Sequence, residues 1–143
     1  MKNIGVSIIT VVYNNIRGIE RTIQSVLNQS YNNIEYIIID GGSTDGTLDV
    51  IKRYENRISY WISEADEGIY NAMNKGILKA HGSFLNFMNS GDTFVTSTTI
   101  ERLIERYEKG DKIIYGNILK CYDRRKERTS GIVSSHPDII DFY

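Results

Sequence analysis

Two short and almost continuous apolar runs constrain the fold of this chain more than any other feature of its sequence. Residues 6–13 and residues 34–39 are rich in isoleucine and valine, and neither run alternates between apolar and polar positions. Such runs are typical of strands that are covered on both faces, as in a parallel sheet. Residues 17–29 lie between them and carry apolar side chains at helical spacing, which predicts an amphipathic crossover helix. The three segments together predict a β–α–β unit.

The alternation of strands and helices continues beyond this unit. Strands are predicted at residues 58–63 and 83–88, and helices at residues 47–54 and 69–80. We expect Gly82 to end the second of these helices. The core-facing stripe of that helix is predicted to contain Ile69, Ala72, Met73, Gly76, Ile77 and Ala80.

A further helix and a last strand complete the predicted elements. Residues 98–101 (TTIE) have the spacing of a capping box, so a helix is expected to begin there. Residues 112–122 predict a final strand that is an edge strand or a mixed one, because their polar content is higher. Alternating strands and helices of this kind predict an α/β fold with a mainly parallel sheet and helices on both of its faces.

The sequence predicts one domain at residues 1–122, followed by a segment of a different kind. Residues 123–135 are charged and lack periodicity, which is typical of a loop. The apolar residues after this loop are too few to build another packed layer. We therefore expect residues 123–143 to be a charged loop and the start of a further, acceptor-binding part, with the chain as the front of a longer protein.

The composition excludes several classes of partner and site. The 17 basic and 18 acidic residues nearly cancel, so the sequence predicts no nucleic-acid partner. Cys121 is the single cysteine, which excludes a disulfide framework and a cysteine-based zinc site and fits a reducing cytoplasm. No stretch approaches the roughly 18 apolar residues that a membrane-spanning helix needs. We expect a cytoplasmic protein, either free or peripheral to the inner face of the membrane.

Polar side chains follow each of the first four predicted strands at the point where the strand ends. These segments are residues 10–14, 40–45, 63–66 and 89–92. Ligands of open parallel sheets bind beyond the carboxyl ends of the strands, because loops from neighbouring strands converge there. The sequence therefore predicts a polar pocket with several carboxylates at this edge.

Several of these residues allow two interpretations. Asp40 could accept a hydrogen bond from the N–H edge of a base, or it could belong to a turn that leads into a helix cap. Asp92 could bind a hard divalent cation that bridges two phosphates, or it could complete a Ser-Gly-Asp turn. Lys75 is either a solvated helix residue or a phosphate or sugar contact. Tyr13 is an aromatic side chain that could stack on a base.

Four segments resemble the successive signatures of family 2 glycosyltransferases. They occur in the family's order and cover about the first two thirds of the chain: residues 7–14 (SIITVVYN), 36–47 (YIIIDGGSTDGT), 66–76 (DEGIYNAMNKG) and 80–92 (AHGSFLNFMNSGD). The resemblance implies a GT-A fold, which is Rossmann-like, and a nucleoside-diphosphate sugar as ligand, commonly a UDP-sugar with Mg²⁺ or Mn²⁺. It also implies inverting sugar transfer to a glycan or lipid-linked acceptor in polysaccharide biosynthesis.

The resemblance implies a role for each residue that matches the family's motifs. Thr10 and Tyr13 would lie near the base, and Asp40 would accept the uracil N–H. Asp66 and Lys75 would lie towards the diphosphate and the sugar. The predicted ligand-binding residues are Thr10, Tyr13, Asn14, Asp40, Gly42, Ser43, Asp66, Lys75, Asn89, Ser90 and Asp92.

Two departures from the family's pattern affect these expectations. Where the family has an Asp-x-Asp-Asp run, residues 89–92 read Asn-Ser-Gly-Asp, so Asp92 would hold the metal almost alone. No segment matches the acceptor-binding half, where the family's general base lies, so no catalytic residue is predicted. The alternative function is a nucleotide-sugar-binding fragment that lacks the acceptor half and does not transfer the sugar. We expect either form to expose an apolar face, which favours self-association.

Overall fold

A computed structural model describes residues 3–110, 118–120 and 131–133. These residues form strands and helices that alternate along the chain. The strands are β1 (Val6–Val12), β2 (Ile34–Asp40), β3 (Tyr60–Ser63), β4 (Phe84–Phe87), β5 (Ile118–Lys120) and β6 (Gly131–Val133). The helices are α1 (Ile16–Leu27), α2 (Thr47–Arg53), α3 (Ile69–Lys79) and α4 (Thr99–Arg106), and a 3₁₀ turn spans Glu55–Arg57.

The first four strands form one parallel sheet in the order β3-β2-β1-β4. β1 and β2 pair along their whole lengths, from Val6 opposite Ile34 to Val12 opposite Asp40. These two strands are the apolar runs that the sequence predicts as doubly covered, and they lie at the centre of the sheet. Because all four strands are parallel, their carboxyl ends lie at a single edge. The predicted α/β fold with a parallel sheet is confirmed.

Helices cover both faces of this sheet, as predicted. One face carries Ile8 and Ile38, which pack with buried residues of α1, α2 and α4. The other face carries Ile9 and Ile37, which pack with Ala72 of α3. Every residue of β1 is buried, which explains why its sequence is apolar almost without interruption. Within the described ranges, no helix has both the length and the apolar character needed to span a bilayer.

The stripe of α3 that faces the sheet is narrower than predicted. Ala72 and Gly76 are buried, but Ile69 and Ile77 are 49% and 41% exposed. The prediction is wrong for these two residues: Ile69 is the first residue of the helix, at its exposed end, and Ile77 lies to the side of the strip that contacts the sheet. Leu78 is also exposed, so α3 carries three exposed aliphatic side chains.

Replacing Gly76 with alanine is expected to lower the free energy of unfolding by about 1–3 kcal/mol, because it overpacks the contact between α3 and β1. A methyl group at position 76 would lie 2.5 Å from Cγ2 of Ile9. Asn74→Ala, which changes an exposed residue of the same helix, is the control and is expected to be neutral or slightly stabilising. Urea unfolding followed by circular dichroism measures both. A Gly76→Ala variant as stable as Asn74→Ala would contradict this packing.

Two predicted helix boundaries differ from the structure. α3 ends three residues before Gly82, and Gly82 instead packs against β1, where its amide donates to Oγ of Ser7 at 2.8 Å. A side chain at position 82 would lie 2.6 Å from the Ser7 amide nitrogen, so glycine permits the close approach. Thr98 precedes α4 without a side-chain capping bond. The Glu101 carboxylate accepts from Oγ of Ser30 at 2.7 Å, so the predicted capping box is wrong.

β5 and β6 form a separate antiparallel ribbon. β5 belongs to the predicted strand at residues 112–122, but it pairs with β6 and not with the four-stranded sheet. β6 lies within residues 123–135, where the sequence predicts only a loop, so that expectation is corrected. The ribbon pairs residues on both sides of the predicted domain boundary at residue 122. Cys121 and the rest of residues 123–143 lie outside the described residues.

At the amino-terminal edge of the sheet, Glu35 of β2 joins β1 to the connection between α3 and β4. Its carboxylate accepts hydrogen bonds from Oγ of Ser7 at 2.6 Å and from the amide of His81 at 2.8 Å, and it contacts Nδ1 of His81 at 2.7 Å. Burial raises the pKa of Glu35, but these hydrogen bonds and the charge of His81 outweigh it and hold the pKa below its ordinary value. His81 therefore has a structural contact at the edge opposite the predicted pocket.

Candidate functional site

The loops after β1 and β2 are joined side by side at the carboxyl edge of the sheet. Asn14 has a left-handed backbone conformation with φ 47°. Its amide donates to Oγ of Ser43 at 2.8 Å, and its Oδ1 accepts from the amide of Thr44 at 2.8 Å. The structure therefore brings two of the predicted ligand-binding residues, Asn14 and Ser43, into direct contact.

Asp40 holds together the loops that follow β2 and β3. Its Oδ2 accepts hydrogen bonds from the amides of Gly42 at 3.1 Å and Ser43 at 2.9 Å and from Oγ of Ser63 at 2.6 Å. Its Oδ1 accepts from Oγ of Ser43 at 2.5 Å. The residue is 0% exposed. The turn interpretation accounts for these four contacts.

Asp45 also holds this edge of the sheet together, although it is not among the predicted ligand-binding residues. Its Oδ2 accepts from the amide of Ile16 at 3.0 Å, and its Oδ1 accepts from the amide and hydroxyl of Thr47 at 3.0 and 2.6 Å. These donors, chiefly the Thr47 hydroxyl, hold the pKa of Asp45 below its ordinary value. Asp45 thus joins the first turns of α1 and α2. The Asp-Gly-Thr spacing is the sequence signal, because aspartate side chains bond to backbone two residues on.

Two residues near the start of α1 hold the loop that follows β4. Nδ2 of Asn15 donates to the carbonyl oxygen and Oγ of Ser90 at 3.1 and 3.0 Å. Oγ1 of the buried Thr22 accepts from the amide of Gly91 at 2.9 Å and donates to the carbonyl oxygen of Asp92 at 2.8 Å. Asn15 and Thr22 are not among the predicted site residues, because their roles depend on how α1 lies across the end of β4.

The side chain of Asp92 projects from the loop that Asn15 and Thr22 hold. Asp92 is exposed, and its carboxylate has no hydrogen-bond or ion-pair partner in the part of the chain that the structure describes. Oδ1 of Asn89 is buried and likewise lacks a hydrogen-bond partner there. Among the described residues, no three acidic, histidine or cysteine side chains could together hold a metal ion. The donors present fit a hard cation that takes most of its ligands from phosphate and water, and they do not fit an all-protein metal cage.

Asp66 and Lys75 lie at the connection between β3 and α3. Oδ1 of Asp66 accepts from the amide of Gly68 at 2.9 Å. Nζ of Lys75 forms a salt bridge with Oε1 of Glu64 at 2.8 Å and donates to the carbonyl oxygen of Ala65 at 3.4 Å. Lys75 is therefore not simply solvated. It would have to exchange its bond with Glu64 for a bond to a phosphate.

Of the two residues expected near a base, one reaches the surface and the other does not. Tyr13 is 66% exposed directly after β1, so its ring is accessible for stacking. Thr10 is fully buried, and its hydroxyl donates to the carbonyl oxygen of Met88 at 2.7 Å. Burial raises the pKa of Tyr36, and the Tyr36 hydroxyl donates to Thr10 at 3.0 Å. Thr10 thus lies beneath the crevice, because a central strand buries both of its faces.

Gly42 completes the contact between the loops after β2 and β3. Its φ is 83°, and a side chain at this position would lie 3.3 Å from the amide nitrogen of Ala65. Glycine is therefore favoured at position 42, because its backbone adopts this conformation readily and because a larger side chain would crowd Ala65.

Proteins of known sequence resemble this chain over most of its length. An uncharacterized glycosyltransferase of Mycobacterium tuberculosis is 42% identical over 101 residues, which are 70% of this chain and 38% of that protein. A putative teichuronic acid biosynthesis glycosyltransferase of Bacillus subtilis, TuaG, is 42% identical over 90 residues, which are 61% of this chain and 36% of that protein. The chain spans less than two fifths of the length of these two relatives.

Solved glycosyltransferase structures share the fold. The mannosyltransferase PcManGT from Pyrobaculum calidifontis, in complex with GDP-Man and Mn²⁺, has a TM-score of 0.67 and 21% identity over 73% of this chain and 32% of that one. S. aureus TarS 1–349 in complex with UDP-GlcNAc has a TM-score of 0.64 and 24% identity over 71% of this chain and 30% of that one. These likenesses confirm the expected GT-A fold. The family model described as Glycosyl transferase family 2 matches residues 7–140, and the chain therefore belongs to glycosyl transferase family 2.

Proposed function

We propose that the carboxyl edge of the sheet binds a nucleoside-diphosphate sugar, and that the donor is a UDP-sugar. The observation that carries this proposal is the exposed carboxylate of Asp92, which has no partner among the described residues and whose backbone Thr22 and Asn15 hold after β4. An exposed acid at a strand end would suit a hard cation that takes its other ligands from phosphate and water. Membership of the family supports a sugar nucleotide as the ligand.

The exposed residues of this edge have different roles in the proposed function. The accessible ring of Tyr13 stacks on the base. Asp92, together with Asn89, would hold Mg²⁺ or Mn²⁺, and such an ion would stabilise the charge that develops on the departing diphosphate. Because α1 holds the backbone of Ser90 and Gly91, the loop that carries Asp92 is already ordered when the donor arrives, which lowers the cost of binding.

In the whole protein, the sugar is transferred with inversion to a hydroxyl group of a glycan or lipid-linked acceptor, in the cytoplasm or at the inner face of the membrane. This step needs a base that removes the proton of the acceptor hydroxyl as it attacks the anomeric carbon. The carboxylates of Asp40 and Asp45 hold loops, and Asp92 is assigned to the cation. We therefore assign the base to none of these acids.

A second candidate function is nucleotide-sugar binding without transfer. The observation that favours it is that Asp40 and Asp45 both have structural contacts in the described part of the chain. In this case the exposed aliphatic residues of α3, which are Ile69, Ile77 and Leu78, would contribute to self-association.

Titration calorimetry with UDP, GDP, CDP and TDP, each with and without Mn²⁺, tests the nature of the donor. We expect UDP to bind most tightly and Mn²⁺ to raise its affinity, because the ion links the diphosphate to Asp92. Assays of sugar release from UDP-sugars, with and without an added hydroxyl acceptor, then separate a transferase from a binding protein. If none of the four nucleotides binds, the proposed function is refuted.

A further inference from the structure

A short chain of buried hydrogen bonds crosses β2, β1 and the end of β4 beneath the carboxyl edge. The hydroxyl of Tyr36 in β2 lies 3.0 Å from Oγ1 of Thr10 in β1, and the Thr10 hydroxyl donates to the carbonyl oxygen of Met88 at 2.7 Å. All three residues are buried. A hydroxyl group has one hydrogen, and Thr10 gives its own to Met88, so Tyr36 is the donor to Thr10. Each bond in this chain therefore has a fixed direction.

The strand itself does not require a polar side chain at position 10. Thr10 lies opposite Ile38 in the centre of the sheet, between two apolar and buried residues of β1. Valine would fit such a doubly covered position, whereas a buried hydroxyl costs free energy unless it is hydrogen-bonded. The Thr10 hydroxyl is satisfied by joining β1 to its neighbours, so a link to the end of β4 is what the threonine adds.

The end of β4 has few other attachments to the sheet. β4 has four residues and lies at the edge of the sheet that the described residues form, where its one neighbour is β1. Beyond β4, the amide of Met88 donates to the carbonyl oxygen of Ile9 at 2.9 Å. The next bond, from Ser90 to Val11, is longer at 3.2 Å. Thr10 lies between these two acceptors and adds a side-chain bond to the same stretch.

The residue that Thr10 binds directly precedes the proposed cation ligands. Met88 is followed by Asn89, whose Oδ1 is buried without a hydrogen-bond partner among the described residues. The amide of Asp92 donates back to the carbonyl oxygen of Asn89 at 3.0 Å, so both proposed ligands belong to one turn. Bonds from α1 hold this turn from the helix side, whereas the bond from Thr10 holds it from the sheet side.

We propose that Thr10 is a positioning residue for the proposed cation site. Its hydroxyl, oriented by Tyr36, fixes the end of β4 and with it the turn that carries Asn89 and Asp92. This role takes the place of the contact near the base that the family resemblance implies for Thr10. The inference rests on the proposed function.

Four variants separate this role from a general effect on stability. Thr10→Val removes the hydroxyl and keeps the shape of the side chain, whereas Thr10→Ser keeps the hydroxyl and is the rescue variant. Tyr36→Phe removes the donor that orients Thr10. Ser7→Ala is the matched control, because Ser7 is also a buried hydroxyl residue of β1 with bonds to two residues, Glu35 and Gly82, but near the amino-terminal edge.

Titration calorimetry of UDP, with and without Mn²⁺, measures the effect on the site. We expect Thr10→Val to reduce the enhancement of UDP affinity by Mn²⁺ about three- to tenfold, which is less than the roughly 10- to 100-fold typical of direct partners of a metal ligand. Tyr36→Phe should give a smaller loss, and Thr10→Ser should restore the enhancement. Ser7→Ala should leave it within about twofold of the unmodified protein, because distant sites act independently. Metal-free UDP binding should change little in all four variants.

Hydrogen exchange of the free protein gives a second readout that needs no metal. The amides of Ser90, Gly91 and Asp92 are all hydrogen-bonded, so their exchange reports local opening of the turn. We expect these amides to exchange at least about threefold faster in Thr10→Val than in Ser7→Ala, because only the former loses its link to the end of β4.

Thermal unfolding shows which variants are folded, and Tyr36→Phe carries the test if Thr10→Val is not. An unchanged Mn²⁺ enhancement in the folded variants, in a protein whose UDP binding responds to Mn²⁺, would overturn the positioning role and leave the proposed function standing. An equal loss in Ser7→Ala would also overturn it, because the effect would then follow stability. So would a loss of metal-free UDP binding in Thr10→Val, because Thr10 would then act on the nucleotide itself. If Mn²⁺ does not strengthen UDP binding by the unmodified protein, the inference and the proposed metal site fail together.

Discussion

Replacing Asp40 with alanine is expected to lower the free energy of unfolding by about 3 kcal/mol, because several donors around this fully buried carboxylate would lose their acceptor. The amides of Gly42 and Ser43 and the hydroxyls of Ser43 and Ser63 all donate to this carboxylate. A donor left without a partner costs about 1–3 kcal/mol when it is buried, and these partly buried donors recover part of this from water or from other acceptors. Asp40→Asn should cost less, since its remaining carbonyl oxygen still accepts.

Urea unfolding followed by circular dichroism measures this effect. Glu55→Ala is the control, because Glu55 is an exposed acid in the 3₁₀ turn that precedes β3, away from the carboxyl edge. Its effect is expected to stay within about 0.5 kcal/mol. If Asp40→Ala is no less stable than Glu55→Ala, the four contacts of Asp40 do not hold the loops together.

Replacing Asp92 with asparagine is expected to remove most of the Mn²⁺-dependent part of UDP binding. Asp92 is the one carboxylate of the loop that follows β4, so its loss leaves the cation without an anionic protein ligand. We expect the enhancement of UDP affinity by Mn²⁺ to fall by about tenfold or more, whereas binding without metal stays nearly unchanged. Titration of UDP at several Mn²⁺ concentrations measures this difference.

Two controls make this result specific to the metal. Uridine lacks the diphosphate, so its binding should respond neither to Mn²⁺ nor to the substitution of Asp92. Glu55→Gln removes a carboxylate elsewhere on the surface and should leave the metal effect intact. If Mn²⁺ does not strengthen UDP binding by the unmodified protein, the metal site must be withdrawn.

The boundaries of β1 and β2 were predictable because local pattern decides them. Both strands are central, so every position of β1 is buried, and burial on both faces leaves a continuous apolar run in the sequence. α3 shows the limit of such patterns. Periodicity predicts Ile69 and Ile77 in its core stripe, but the width of that stripe depends on how far the sheet extends beneath the helix. Gly82 looks like a helix terminator, yet its role is the close approach to Ser7 of β1.

The location of the candidate site was predictable from the sequence, but most of the contacts within it were not. Polar residues at strand ends predict a pocket at the carboxyl edge, and the structure brings Asn14, Ser43 and Asp40 together there. The direction of each side chain was not predictable. Thr10 is polar like Asn14 in the same motif, but it lies in the middle of a doubly covered strand and bonds to Met88.

The sequence by itself determined the order of strands and helices, the parallel sheet and the edge where the loops converge, because these follow from short-range periodicity and from burial of apolar runs. Only the tertiary structure decided which acids hold the protein together and which face outward. The bond between Thr22 and Asp92 joins residues 70 positions apart, and that between Asn15 and Ser90 joins residues 75 apart. Contacts at such separations depend on how the elements pack, and local sequence carries no signal of them.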